Sequence, residues 1–142
     1  MFHFRDGRWT NAAEAAQIDF ALPSRAVAKV DFNNDGLMDL VFLSYNGPAV
    51  IYQNHSTIKS ETKWVGLEFK NQTQAYGAKV NWQAGDKKLE LFNWPSNGTN
   101  AQHDSRMILP WNYNSGEILI SFQDGTFRKI KPKATNVYQI IK

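Results

Sequence analysis

The chain has 142 residues, of which 42% are hydrophobic, 20% charged and 13% aromatic, with a net charge of +3 and a pI near 9.2. That is a globular composition, long enough for one good core or for two small units sharing one. The absence of cysteine excludes a disulfide framework, a thiol nucleophile and a zinc–thiolate centre, and so mild a positive charge does not by itself imply nucleic acid.

Phe2–Arg5 and Arg8–Thr10 predict a short hairpin, with Asp6-Gly7 as its turn. No apolar stretch of the signal-peptide kind follows Met1, and no run reaches the length of a membrane span. The expectation is therefore a cytoplasmic protein or a piece of a longer chain. Asn11 is placed to cap a short helix over Ala12–Ile18, with Glu14 as its capping-box partner. Seven residues make a marginal helix that needs packing to persist.

Val27–Phe32 and Met38–Ser44 read as strands, because they are β-branched and apolar. Between them runs Asp31-Phe32-Asn33-Asn34-Asp35-Gly36-Leu37-Met38-Asp39. Oxygen side chains fall at positions one, three, five and nine, and glycine at six, where the chain must turn sharply. Leu37 at position seven offers its backbone carbonyl. This is the donor order of an oxygen cage for a hard divalent cation, so Asp31, Asn33, Asp35, Leu37 and Asp39 are predicted Ca2+ ligands. Position twelve is Phe42 rather than a bidentate Glu, and the flanks are strands rather than helices. The other reading is an Asn/Asp-rich hairpin without metal.

Met38–Leu43 is apolar at successive positions apart from Asp39, the pattern of a strand covered on both faces. With no second copy of this unit in the chain to cover it, this strand predicts a homodimer through the N-terminal unit. Asn46-Gly47-Pro48 is a turn, Ala49–Gln53 a third strand, and the polar stretch Asn54–Lys63 the best internal boundary.

Cleaner alternation follows. Val65, Leu67 and Phe69 share a face, as do Ala78, Val80 and Trp82; then Leu89 and Leu91; then Ile118, Ile120 and Phe122. Phe127 and Ile130 follow more loosely. Val137, with Ile140 or Ile141, closes the chain. Gly85-Asp86 and Asp124-Gly125 supply turns. The pattern is that of an antiparallel sheet with one face in a core and one in water.

His103-Asp104-Ser105 holds the residue types of a hydrolase triad, but triad members meet from distant parts of a chain, so a polar loop is the better reading. Arg128, Lys129, Lys131 and Lys133 form the one dense basic run. It protects a strand edge or holds an anionic polymer, and Pro132 favours the edge. Trp94, Trp111 and Tyr113 lie near Pro, Asn and Gly and are candidates for an exposed sugar-stacking platform, whereas Trp82 falls in the core alternation.

Residues 26–54 resemble one calcium-bearing repeat of the FG-GAP/VCBS type, and residues 2–25 resemble the segment that leads into one. Residues 66–92, including Tyr76-Gly77-Ala78-Lys79-Val80, together with 116–131 and 136–140, resemble the ASPIC/UnbV domain of the cartilage acidic protein-like family. The resemblance implies a mainly β protein with a blade-like antiparallel unit at 1–57, packed against a second antiparallel β unit, sandwich or barrel-like, at 63–142. It further implies a calcium-stabilised binding or adhesion module for a protein or carbohydrate partner, extracellular or periplasmic, and not an enzyme. Two rival readings are an accessory domain of a biosynthetic enzyme and a basic β module that binds nucleic acid or an anionic polysaccharide.

Overall fold

The computed structural model describes residues 2–18, 23–57, 63–84, 87–96, 98, 100–111 and 115–142. The protein is mainly β, with four sheets, one short helix and no closed barrel among these residues. Strands β1 (Phe2–Arg5) and β2 (Arg8–Asn11) pair with Arg5 opposite Arg8. Asp6 and Gly7 close the hairpin at φ 51° and 76°, as a primed two-residue turn requires.

The expected helix over Ala12–Ile18 is a turn. Asn11 does act locally, its side-chain oxygen accepting from Ala13 N–H at 3.1 Å. The hydrogen bonds that follow are Ala16 N–H to Ala12 O, Gln17 N–H to Glu14 O and Ile18 N–H to Ala13 O, and Gln17 then turns left-handed at φ 56°. Only Ala13 of this segment is buried, so packing does not extend the turn. The helix of the structure is α1 (Gln72–Ala75), capped by Asn71.

Strands β3 (Ser24–Val30), β4 (Asp39–Ser44) and β5 (Ala49–Tyr52) form an antiparallel sheet with β4 central, and the expected turn between β4 and β5 has Asn46 at φ 57°. The expectation that β4 is covered on both faces is corrected. Most of it is half-buried, and Leu43 is 46% exposed, although β4 is the central strand of its sheet.

The core lies in the other two sheets. One holds β6 (Lys63–Phe69) between β9 (Met107–Trp111), which is antiparallel to it, and β12 (Val137–Ile141), which is parallel. The other orders β11 (Phe127–Ile130), β10 (Ser115–Ser121), β7 (Lys79–Ala84) and β8 (Lys87–Phe92), all antiparallel. Val65, Leu67, Phe69, Ala78, Val80, Trp82, Ile118, Ile120 and Phe122 all bury as the alternation predicts, joined by Met107, Leu109 and Ile141. Ile141 is thus the core residue of the closing pair and Ile140 is exposed. Phe127, expected beside Ile130 on the inner face, is 65% exposed at the edge strand. β6 is buried on both faces through most of its length, including Gly66, where any Cβ would sit 2.2 Å from the Tyr138 ring. The β7–β8 connection at Gly85-Asp86 lies outside the described residues, and Ala84 pairs with Lys87 across it.

Candidate functional site

The loop from Asp31 to Asp39 leaves β3 and re-enters β4, whose first pair is Val30 with Asp39. Asn34 and Gly36 take φ of 60° and 86°, and this places the sharp turn where the glycine is. Gly36 is required twice over, because a Cβ there would also meet the Trp64 indole at 2.3 Å.

The loop's side chains organise its own backbone. Asp31 Oδ1 accepts from Asp35 N–H at 3.0 Å and Oδ2 from Gly36 N–H at 2.9 Å. Asp35 Oδ1 accepts from Leu37 N–H, and Asn33 Nδ2 donates to Asp35 Oδ2. Asp39 accepts from Phe32 N–H at 2.9 Å and from Asn54 N–H at 2.7 Å, so it closes the loop and pins the exit of β5.

Asp31 and Asp39 are each only 1% exposed, and neither forms an ion pair among the described residues. A buried carboxylate without a compensating charge is costly. The donors of Asp31, Asn33, Asp35, Leu37 and Asp39 are all hard oxygens, so their chemistry fits Ca2+. The side-chain oxygens of Asp31, Asn33, Asp35 and Asp39 accept from backbone N–H groups, and among the described residues no three His, Cys, Asp or Glu converge on one point.

The C-terminal sheets hold the loop from outside. Tyr138 O–H, on β12, donates to Asp31 Oδ2 at 2.6 Å. Arg106, just before β9, donates from Nη2 to Asp31 O at 2.6 Å and from Nη1 to Asn34 Oδ1 at 2.5 Å. The same guanidinium forks onto Asp104 and lies 4.2 Å from the Tyr138 ring centre. Trp64 packs edge-on to that ring at 5.3 Å and meets Gly36. Burial pushes the Asp104 carboxyl up, but hydrogen bonds and charge from Arg106 outweigh it and hold it below the usual carboxylate range. Arg106 is held above its ordinary value, first by its bond to Asp104. Burial raises the Tyr138 hydroxyl, and the bond to Asp31 raises it further, so it stays a donor.

His103 and Asp104 join the same seam in structural roles. His103 Nδ1 accepts from Lys29 N–H at 3.1 Å and Asp104 N–H donates to Lys29 O at 2.8 Å. Asp104 faces Arg106 rather than His103, which removes the triad arrangement.

The aromatic candidates separate. Trp94 is 40% exposed and stands perpendicular to Tyr76 at 5.1 Å, whereas Trp111 is half-buried against Trp82 at 6.4 Å. Each of the two indoles thus packs on a different ring, and Tyr113 lies outside the described residues. Arg128 and Lys129 are exposed on edge strand β11, with Lys131 exposed just beyond it. Sequence reasoning passed over Arg106, Tyr138 and Trp64 as partners of the loop. Each is dozens of residues away, and no local pattern marks the contact.

No family model matches the chain. A stretch of 59 residues, 40% of the chain, is 42% identical to Cartilage acidic protein 1 of Homo sapiens. The match covers 9% of that protein's length. The chain is thus similar, over part of its length, to a small part of a much longer protein.

Proposed function

We propose that the protein is a calcium-stabilised binding module of the FG-GAP/VCBS and ASPIC/UnbV kind, with a blade-like unit at 1–57 and an ASPIC/UnbV-like unit at 63–142. The observation that carries this reading is the burial of Asp31 and Asp39, neither of which forms an ion pair among the described residues, in a loop whose oxygen donors follow the spacing of a calcium site. Asp31, Asn33, Asp35 and Asp39 would hold the ion by side chain and Leu37 by its carbonyl. A bound Ca2+ would add positive charge beside both carboxylates, where Arg106 reaches only the Asp31 end of the loop. Asp31 is also the residue that Tyr138 and Arg106 grip, so order in the loop is order at the seam between the two units. A rigid β scaffold of this kind is suited to presenting a surface to a protein or carbohydrate partner. The partial similarity to a protein named for cartilage supports an extracellular setting. The half-exposed β4 keeps a homodimer through the N-terminal unit within the reading, and a monomeric mass in light scattering would remove it.

Melting the protein in Ca2+ and in EDTA tests the site. An ion that binds the folded state alone stabilises it by about 2.7 kcal/mol at a hundredfold excess over Kd. Without the position-twelve Glu, Kd is expected at about 10^-4 to 10^-3 M. Asp35→Ala should abolish the difference. Identical melts of wild-type protein, shown to be metal-free before Ca2+ is added back, would overturn the reading.

A further inference from the structure

Away from the loop, the short helix α1 and the turn between β10 and β11 flank an open cleft of about 300 Å³ lined by Thr73, Gln74, Tyr76, Gln123 and Asp124. Its walls are fixed. Gln74 Nε2 donates to Asp124 Oδ2 at 3.2 Å, tying helix to turn, while Asp124 Oδ1 accepts from Thr126 N–H and Oγ1–H. Gly77, at φ 73°, brings the two segments together, since a Cβ there would lie 2.2 Å from Gln123 Nε2. Tyr76 is 48% exposed, and Trp94 holds its ring perpendicular at 5.1 Å. Gly77 N–H to Asn93 O and Asn93 N–H to Ala78 O fix the backbone on which both rings stand.

An exposed, immobilised aromatic ring beside two amides, a hydroxyl and a carboxylate matches the two sides of a sugar. The ring takes the apolar C–H face, and the polar groups take the hydroxyls. Charge narrows the class. Asp124 is the charged residue of the lining, and the hydrogen bonds from Thr126 hold it ionised. An ionised carboxylate with a lone pair to spare favours sugar hydroxyls and disfavours uronates and sulfates. We propose that the Tyr76–Gln74–Gln123–Asp124 cleft binds a neutral saccharide, with Tyr76 as the stacking residue and Trp94 as its positioning residue. This rests on the binding-module reading and names its ligand class. It also moves the sugar site from a Trp94–Trp111 platform to Tyr76.

The test is an NMR titration of the full chain with lactose, cellobiose, mannobiose and chitobiose at millimolar concentration, with heparin as the acidic control. Shifts from at least one neutral disaccharide should centre on residues 73–77 and 123–126. Tyr76→Ala should weaken binding about tenfold or more, as loss of a central aromatic anchor does, and Tyr76→Phe should retain it. Gln123→Ala, on an exposed turn, should weaken binding without affecting the melt. The proposal is overturned by an absence of shifts with all four sugars, or by shifts that persist in both Tyr76→Ala and Gln123→Ala. It is equally overturned by binding of heparin alone that disappears when Arg128 and Lys129 are neutralised. In that last case the binding-module reading survives, and the EDTA melt tests the calcium reading separately.

Discussion

The hydroxyl of Tyr138 donates to Asp31 Oδ2 at 2.6 Å, joining residues 107 positions apart in the chain. One is the first residue of the acidic loop; the other lies on the strand that closes the C-terminal core. With Arg106 on the Asp31 carbonyl, this bond makes the loop an element of the seam rather than a free surface turn.

Removing that hydroxyl tests how much the seam depends on it. Tyr138→Phe keeps the ring against Trp64 and Gly66 but leaves a buried carboxylate oxygen short of a donor. Hydrogen bonds to charged groups contribute about 1.5–3 kcal/mol. A loss of stability of that size is expected from urea unfolding. An unchanged midpoint would show that the backbone donors of Gly36 and Asp35 suffice for Asp31.

Gly36→Ala should be more damaging than an ordinary loop substitution. The left-handed backbone costs a residue with a Cβ about 1–2 kcal/mol. Overpacking against the Trp64 indole adds about 1–3 kcal/mol. Shrinking the indole in Trp64→Leu should relieve the second part and not the first. A double-mutant cycle in the denaturant midpoint measures it, and strictly additive effects would separate Gly36 from Trp64 energetically.

Much of this architecture was legible in the residues because its causes are local. The acidic loop spans nine positions, the Asp6-Gly7 turn two, and the core faces follow a period of two that a strand enforces. What could not be read depends on distant partners. Parallel pairing of β12 with β6 sets Val137 beside Val65 across a long crossover, and nothing in either strand's pattern distinguishes that from antiparallel pairing. Ala12–Ile18 carried a helix-capping signal, but of this segment only Ala13 is buried, so one turn is all that forms. Tyr76 was read as part of a family motif, and only the approach of the β10–β11 turn shows it to be the wall of a cleft.

The basic run at Arg128, Lys129 and Lys131 sits on or beside an edge strand whose outer side pairs with nothing among the described residues. Charge there discourages strand addition by a neighbouring molecule. Replacing Arg128 and Lys129 with Thr should leave the melting midpoint within about 0.5 kcal/mol, the usual range for exposed sites. It should raise light scattering when the protein is held below that midpoint. A soluble variant that has lost heparin retention would instead assign the run to ligand binding.

Acid should open the seam through Asp104. Burial raises its carboxyl, but the bonds and charge of Arg106 outweigh burial and hold the folded pKa below the usual carboxylate range. A depressed carboxylate contributes stability that is fully present above the unfolded pKa. That contribution is lost as pH falls through the lower, folded value. The contribution is therefore intact at neutral pH and disappears below about pH 4, the ordinary carboxylate range. When Asp104 is protonated, Arg106 loses its fork partner, while the bonds from Arg106 to Asp31 O and Asn34 remain. Asp104→Asn should lower stability at pH 7 and flatten its dependence on pH between about 5 and 2, measured by urea unfolding at a series of pH values. The informative quantity is the difference between variant and wild type across the pH series. If that difference is constant across the series, the Asp104–Arg106 pair does not set the acid limit of the fold.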